Sequence, residues 1–171
     1  MCVQLGDFLR QSSRLGAREV IALSEELALA DAFLAVEKVR FGARLSVERR
    51  IEEACADCLV PPLLLQPLVE NAVSHGSAGL VEGGVVRIHA RRRGDRLELA
   101  MENPRDPQAS SRPGTGLGLD NVRRRIDTLY GHEARLEVRV EADAFRVELD
   151  LPALEGPPKA AARREATVPS T

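Results

Sequence analysis

The chain has 171 residues, 44% hydrophobic and 29% charged, with 24 basic against 26 acidic side chains and a net charge of −2. That balance fits one soluble globular domain and excludes a chain too polar to bury a core, while its near-neutrality supplies no global field to recruit nucleic acid or an anionic membrane. No apolar run approaches the roughly 20 residues of a bilayer span, and no basic flank with a small-residue cleavage site opens the sequence, so a cytoplasmic location is expected.

"VQLGDFLRQSSRL" spaces Val3, Leu5, Phe8, Leu9 and Leu15 roughly as a helical stripe and predicts a short helix ending near Gly16. "LSEELALADAFLAVEKVRFG" predicts a longer helix: Ser24 can cap it, Glu25 and Glu26 suit its positive start, and Gly42 closes it. In "RLSVERRIE", Leu45, Val47 and Ile51 alternate imperfectly with charge, as in a half-buried strand. Cys55 and Cys58 form a single C-x-x-C with no second pair or nearby histidine. A tetrahedral metal site is thereby half built, and the pair reads as incidental cysteines in a loop.

From about Pro62 a helix sets Leu65, Leu68, Val69 and Ala72 on an apolar stripe. "GGVVRIHARRR" and "DRLELAMEN" alternate around Arg93-Gly94-Asp95 as an antiparallel hairpin. The loop from Pro104 to Gly118 is too long and too rich in Pro, Gly and Ser to be a mere connection. "LDNVRRRIDTLYG" is a helix, "ARLEVRVE" with "FRVELDLP" a second hairpin, and residues 153–171 turn to Ala, Pro, Gly and charge, as a disordered tail does. Helices mixed with antiparallel hairpins indicate an α+β fold with helices packed on one face of a mixed sheet.

Two stretches carry chemistry. In "LLLQPLVENAVSHG", Glu70 with Ser74 and Asn71 with His75 pair at i,i+4 opposite the apolar stripe. A carboxylate, an amide oxygen, a hydroxyl and an imidazole suit Mg²⁺ and phosphate, although the same pattern serves as a solvated helix face. In "RPGTGLGLDNVRRR", Gly114, Gly116 and Gly118 free the backbone to aim amides at an anion just before a helix, or else make a flexible surface loop. The third glycine comes one residue early for a dinucleotide fingerprint, and no lysine follows as in a P-loop. "HARRRGDR" gathers His89 and four arginines on a hairpin, but no aromatics interleave to stack bases, and it reads as a solvated turn.

Together these stretches resemble the N box and second glycine box of the LytS-type sensor histidine kinases, members of the gyrase, heat-shock chaperone, histidine kinase and MutL ATPase superfamily. "LSEELALADAFLAVEKVRFGARLSVE" is similar to that family's linker, and the likeness runs from about Leu5 to Pro152. The resemblance implies a Bergerat-type two-layer sandwich binding ATP and Mg²⁺ beneath a lid. It further implies that residues 1–22 are the remnant of a dimerisation region, 23–152 the catalytic domain and 153–171 the tail. By position, Asn71 would bind Mg²⁺ and Glu70 would polarise the attacking imidazole or position its water. Ser74 and His75 would touch phosphate, Gly114, Thr115, Gly116, Leu117, Gly118 and Leu119 would wrap the phosphates, and Asn121 would begin the helix beneath them. Arg125 would lean toward phosphate.

The family's adenine-binding aspartate is Asn103 here, which keeps the acceptor but loses the charge-assisted part of the bond, on the order of 1 kcal/mol. Phe145 stands where a threonine is usual. No histidine precedes His75, so the acceptor histidine would come from elsewhere. The implied function is a protein-histidine kinase catalytic domain of a two-component system, homodimeric in the full-length, usually membrane-anchored protein. Its partners would be a phosphoacceptor helix and a response regulator, with neither nucleic acid nor membrane contacting this chain. The alternatives are a nucleotide-binding regulatory module with little turnover and a serine kinase of the anti-sigma type.

Overall fold

Alternating apolar and charged residues build the larger of two sheets, β2 (Leu45–Ile51), β4 (Gly84–Arg93), β5 (Arg96–Pro104), β6 (Arg135–Val140) and β7 (Ala144–Pro152), in the order β2-β4-β5-β7-β6. The description rests on a computed structural model and covers residues 18–77, 80, 83–105 and 117–155. β2 runs parallel to β4 and every other pair is antiparallel. Both predicted hairpins are present, the first closed at Gly94, whose φ of 60° suits a residue without a Cβ.

Period-two patterning decides which face is covered. Val86, Ile88 and Ala90 on β4, Leu97, Leu99 and Met101 on β5, and Val147, Leu149 and Leu151 on β7 are all buried and point to one layer of helices. That layer contains α1 (Leu23–Phe41), α2 (Gln66–Ala72) and α3 (Leu117–Tyr130), which bury Leu29, Ala30 and Leu34, then Leu68, Val69 and Ala72, then Val122 and Ile126. The observed fold is the expected two-layer α+β sandwich. The imperfect alternation of β2 has a cause: Arg49 sits among its apolar positions because it binds Asp31 of α1, with Nη1 2.6 Å from Oδ2.

A second, three-stranded antiparallel sheet, β1 (Ile21–Ala22), β3 (Cys58–Val60) and β8 (Leu154–Glu155), is absent from the sequence-based expectation, since its strands are two or three residues long. Its third strand falls at the start of the expected tail; residues 156–171, like the expected helix before Gly16, lie outside the described residues. Cys55 and Cys58 are free thiols buried beside this sheet rather than in an open loop, and burial pushes the Cys55 thiol up to about 11. Tyr130, the last residue of α3, donates its hydroxyl to the Leu59 carbonyl at 3.0 Å and so joins the helix layer to β3.

Helix α1 starts differently from expectation. Ala22 rather than Ser24 is its N-cap, because Glu25 reaches back to the Ala22 amide (3.1 Å) while the Ser24 amide donates to the Ala56 carbonyl (3.0 Å). Gly42 ends the helix as predicted, with φ 58° and its N–H on the Lys38 carbonyl.

Candidate functional site

The helix expected from about Pro62 begins four residues later. Pro61 and Pro62 disfavour helical backbone before them, and Leu63 adopts φ 58°, a conformation costing a leucine about 1–2 kcal/mol. α2 therefore starts at Gln66, with Pro67 in its first turn where the missing N–H does no harm. It runs on into a π turn, Val73–Ser77. This wider turn carries Ser74 and His75, so the ideal i,i+4 spacing expected with Glu70 and Asn71 does not hold through it.

The predicted stripe is buried, with Leu65, Leu68, Val69 and Ala72 all at most 4% exposed. On the other side Glu70 and Ser74 are exposed and Asn71 is half-buried. Gln66 Nε2 donates to Glu70 Oε1 at 2.8 Å and holds that carboxylate along the helix. The His75 side chain lies outside the described residues.

Asn103, at the end of β5, is 2% exposed and is one of only two buried polar or charged residues among those described. Its Nδ2 donates to the Pro104 carbonyl at 2.9 Å, which leaves Oδ1, an acceptor, to face a partner. Phe145 is its direct cross-strand neighbour, so the two departures noted in the sequence share one spot on the sheet. Gly76 closes over this spot: a Cβ there would stand 3.0 Å from Asn103 Cβ and 3.1 Å from Nδ2. The π turn after α2 and the buried amide of β5 thus meet in close contact, and the turn makes that approach where a straight helix would carry on past it.

The third contributor is the start of α3. Leu117 opens this helix, Leu119 is half-buried against the core, and Gly118 rests on Pro67, its virtual Cβ 3.6 Å from the proline Cβ. The first turns of α2 and α3 therefore lie side by side. Gly114, Thr115 and Gly116 fall outside the described residues. Asn121 does not begin the helix as expected; it is the fifth residue and exposed, because the helical pattern extends back to Leu117. Arg123 and Arg124 are exposed, whereas Arg125 is half-buried and donates through Nη1 to the Pro62 carbonyl at 2.8 Å.

The residue that sequence reasoning missed is Glu26. Expected as a helix-start carboxylate, it is wholly buried and accepts from the Leu63 amide at 2.5 Å and the Leu65 amide at 2.8 Å. Burial raises its pKa, against the lowering pull of the backbone amides of Leu65, Leu63 and Leu64 and of the Arg125 charge. A signal existed in the sequence: Glu26 falls three residues after Leu23 and three and four before Leu29 and Ala30, on the stripe that faces inward.

A depression of about 620 Å³ lies elsewhere, on the helix-free face of the sheet around Arg50, His89, Arg91, Glu98 and Glu148. The arginines of the first hairpin are satisfied there or nearby. Arg91 and Arg93 pair with Glu98, Arg92 with Glu155 and Arg96 with Asp150. Such exposed pairs contribute little stability each and solvate the face.

No protein-family model matches the chain. Curated relatives do. The sensor histidine kinase BtsS of Escherichia coli is 34% identical over 149 residues, covering 86% of this chain and 26% of the relative. The sensor protein LytS of Staphylococcus haemolyticus is 31% identical over 148 residues, covering 80% and 25%. The chain thus spans about a quarter of the length of these two relatives. Among solved structures, the catalytic domain of histidine kinase ThkA superposes with a TM-score of 0.60 at 16% identity, covering 78% of this chain and 94% of that one, a likeness of fold. The ordered pair of motifs, the sandwich that brings α2, β5 and α3 together and the identity to BtsS and LytS agree: the chain belongs to the LytS/BtsS-type sensor histidine kinases and has the fold of a histidine kinase catalytic domain.

Proposed function

We propose that the site between α2, the end of β5 and the start of α3 binds ATP with Mg²⁺ and directs the γ-phosphoryl group to a histidine imidazole presented by another segment of the whole protein. The observation that carries this reading is the closure of Gly76 on Asn103, which sets the polar side of α2 beside a buried amide at the end of a core strand. Asn103 Oδ1 accepts from the adenine amino group, and Phe145 beside it gives the base an apolar contact. Ser74 and His75 donate to phosphate oxygens. Gly114, Thr115, Gly116, Leu117, Gly118 and Leu119 supply backbone amides to the phosphates at the positive end of α3.

Among the described residues no group of three His, Cys, Asp or Glu could hold a metal alone. That fits Mg²⁺, which takes one or two protein oxygens and completes its shell with phosphate and water; Asn71 supplies the amide oxygen. When bound, the ion neutralises the β and γ oxygens. Glu70, steadied by Gln66, orients or polarises the attacking imidazole. The whole protein works as a dimer on the cytoplasmic side of the membrane and passes its phosphoryl group to a response regulator.

The test is a nucleotide titration with and without Mg²⁺, followed by phosphorylation in trans of a supplied helix bearing the acceptor histidine, with Asn71→Ala as control. Transfer by the parent alone supports the kinase. Equal transfer by both proteins refutes the role of Asn71 as the Mg²⁺ ligand. Tight binding with no transfer supports the regulatory-module reading, which the uncharged Asn103 favours.

A further inference from the structure

Two ionisable residues outside the nucleotide motifs meet at the place where α2 and α3 lie side by side. Glu26, in the first turn of α1, is 0% exposed and spends both carboxylate oxygens on backbone amides in the turn that leads into α2, Leu63 at 2.5 Å and Leu65 at 2.8 Å. Those amides precede the first residue of α2, where no helical carbonyl can accept from them, and a carboxylate is a side chain well matched to two of them at once. Leu63 is also the residue at φ 58°, so the bond to Glu26 holds the chain in a strained conformation there.

Arg125 reaches the same turn from α3, donating to the carbonyl of Pro62, the residue just before Leu63. Its charge lies close enough to act on Glu26. The direction in which α2 leaves the turn is therefore fixed from two sides. The carboxylate holds the amides that start the helix, and the guanidinium holds the carbonyl that precedes them.

We infer that Glu26 and Arg125 are positioning residues for the nucleotide site: together they set the orientation of α2, and with it the placement of Asn71, relative to the start of α3. The inference rests on the proposed binding of ATP and Mg²⁺ at that site. Asn71 lies six residues beyond Leu65, less than two turns along α2, so a small change of angle at the turn moves its amide oxygen by a fraction of an ångström to an ångström. Displacements of that size are enough to spoil a geometry-demanding octahedral ion while leaving apolar base contacts intact. Asn103 and Phe145 are held by the pairing of β5 with β7, a register that does not pass through the turn.

The distinguishing measurement is the gain in ATP affinity on adding Mg²⁺, read from dissociation constants with and without the ion. Glu26→Gln keeps the volume but puts an NH₂ against one of the two amides. It is expected to lose about tenfold of the Mg²⁺-dependent gain, with affinity in the absence of Mg²⁺ within about twofold of the parent. Arg125→Gln, which keeps a donor for the Pro62 carbonyl but no charge, is expected to lose less, and Arg125→Met as much as Glu26→Gln. Should Glu26→Gln not fold, the two Arg125 variants carry the test. A folded Glu26→Gln or Arg125→Met with the parent's full Mg²⁺ gain overturns the inference, as does an equal loss with and without the ion, the mark of a merely structural role. A parent protein that binds no ATP overturns instead the proposed site on which the inference stands.

Discussion

Gly76→Ala adds one methyl group at the tightest point of the site. Its Cβ would stand 3.0 Å from Asn103 Cβ, 3.1 Å from Nδ2 and 3.3 Å from Cγ, so the Asn103 side chain must retreat by about 0.4 Å to regain ordinary contact. It is poorly placed to do so, being 2% exposed and tied to the Pro104 carbonyl at 2.9 Å. Overpacking of this kind costs about 1–3 kcal/mol, and the better helix propensity of alanine returns about 1 kcal/mol. The net loss of stability is about 1 kcal/mol, a fall in Tm of about 4 °C. The larger effect falls on the base: a misdirected Oδ1 loses a hydrogen bond of about 1 kcal/mol to the adenine amino group, a factor of about five in affinity. ITP lacks that amino group, so the assay is the ratio of ITP to ATP dissociation constants for parent and variant. The ratio should fall toward one in Gly76→Ala, as it should in Asn103→Ala. A variant that discriminates as well as the parent refutes the placement of the base against Asn103.

Gly83→Ala should be far more damaging than Gly94→Ala. Both glycines have positive φ, 81° and 60°, but a Cβ on Gly83 would lie 2.2 Å from the Arg44 carbonyl oxygen while one on Gly94 meets nothing within 4 Å. Urea midpoints should give on the order of 3 kcal/mol for the first and 1 kcal/mol for the second, and similar losses would contradict the packing of Gly83 on Arg44. Tyr130→Phe strips the Leu59 carbonyl of its donor at 3.0 Å and should cost about 1–2 kcal/mol by chemical denaturation; a neutral change would mean that water replaces the hydroxyl. The Cys55 thiol, pushed up to about 11, should resist iodoacetamide at pH 8 in the native protein, with its rate rising about tenfold per pH unit up to that value. Because that pKa is raised from 9.0, the associated stability is complete below pH 9 and lost as pH rises through 11, so alkaline melts should show a falling Tm over that window.

The parts of the fold that were legible are those where one force acts alone. Period-two alternation gave both hairpins because β4, β5 and β7 have one dry face, and Gly42 marked the end of α1 because the chain needs a positive φ there. The parts that were not legible depend on distant partners. Cys58–Val60 is a strand only because Ile21–Ala22 and Leu154–Glu155 flank it, and no window of three residues carries that information. Arg49 breaks the β2 pattern because Asp31 waits eighteen residues away. In the site, Asn103 and Phe145 stand out in the sequence as two separate departures from the family pattern and prove to be cross-strand neighbours, yet Glu26 looks like an ordinary helix-start acid. Its burial comes from the turn at Leu63, which local propensity does not foretell.

The lone parallel pairing in the larger sheet bears on the order of assembly. β4, β5, β6 and β7 are joined through antiparallel neighbours, and two of those pairs are short hairpins whose closure entropy is small. β2 can dock on β4 only after the chain has travelled out through β3 and α2 and returned, so its ladder is the slow, non-local step. The segment that makes this excursion is the one bearing Glu70 and Asn71, and the proposed nucleotide site is therefore completed only when β2 is seated. A ligand held there stabilises the finished crossover selectively. Nucleotide is expected to slow amide exchange in β2 more than in the β6–β7 hairpin.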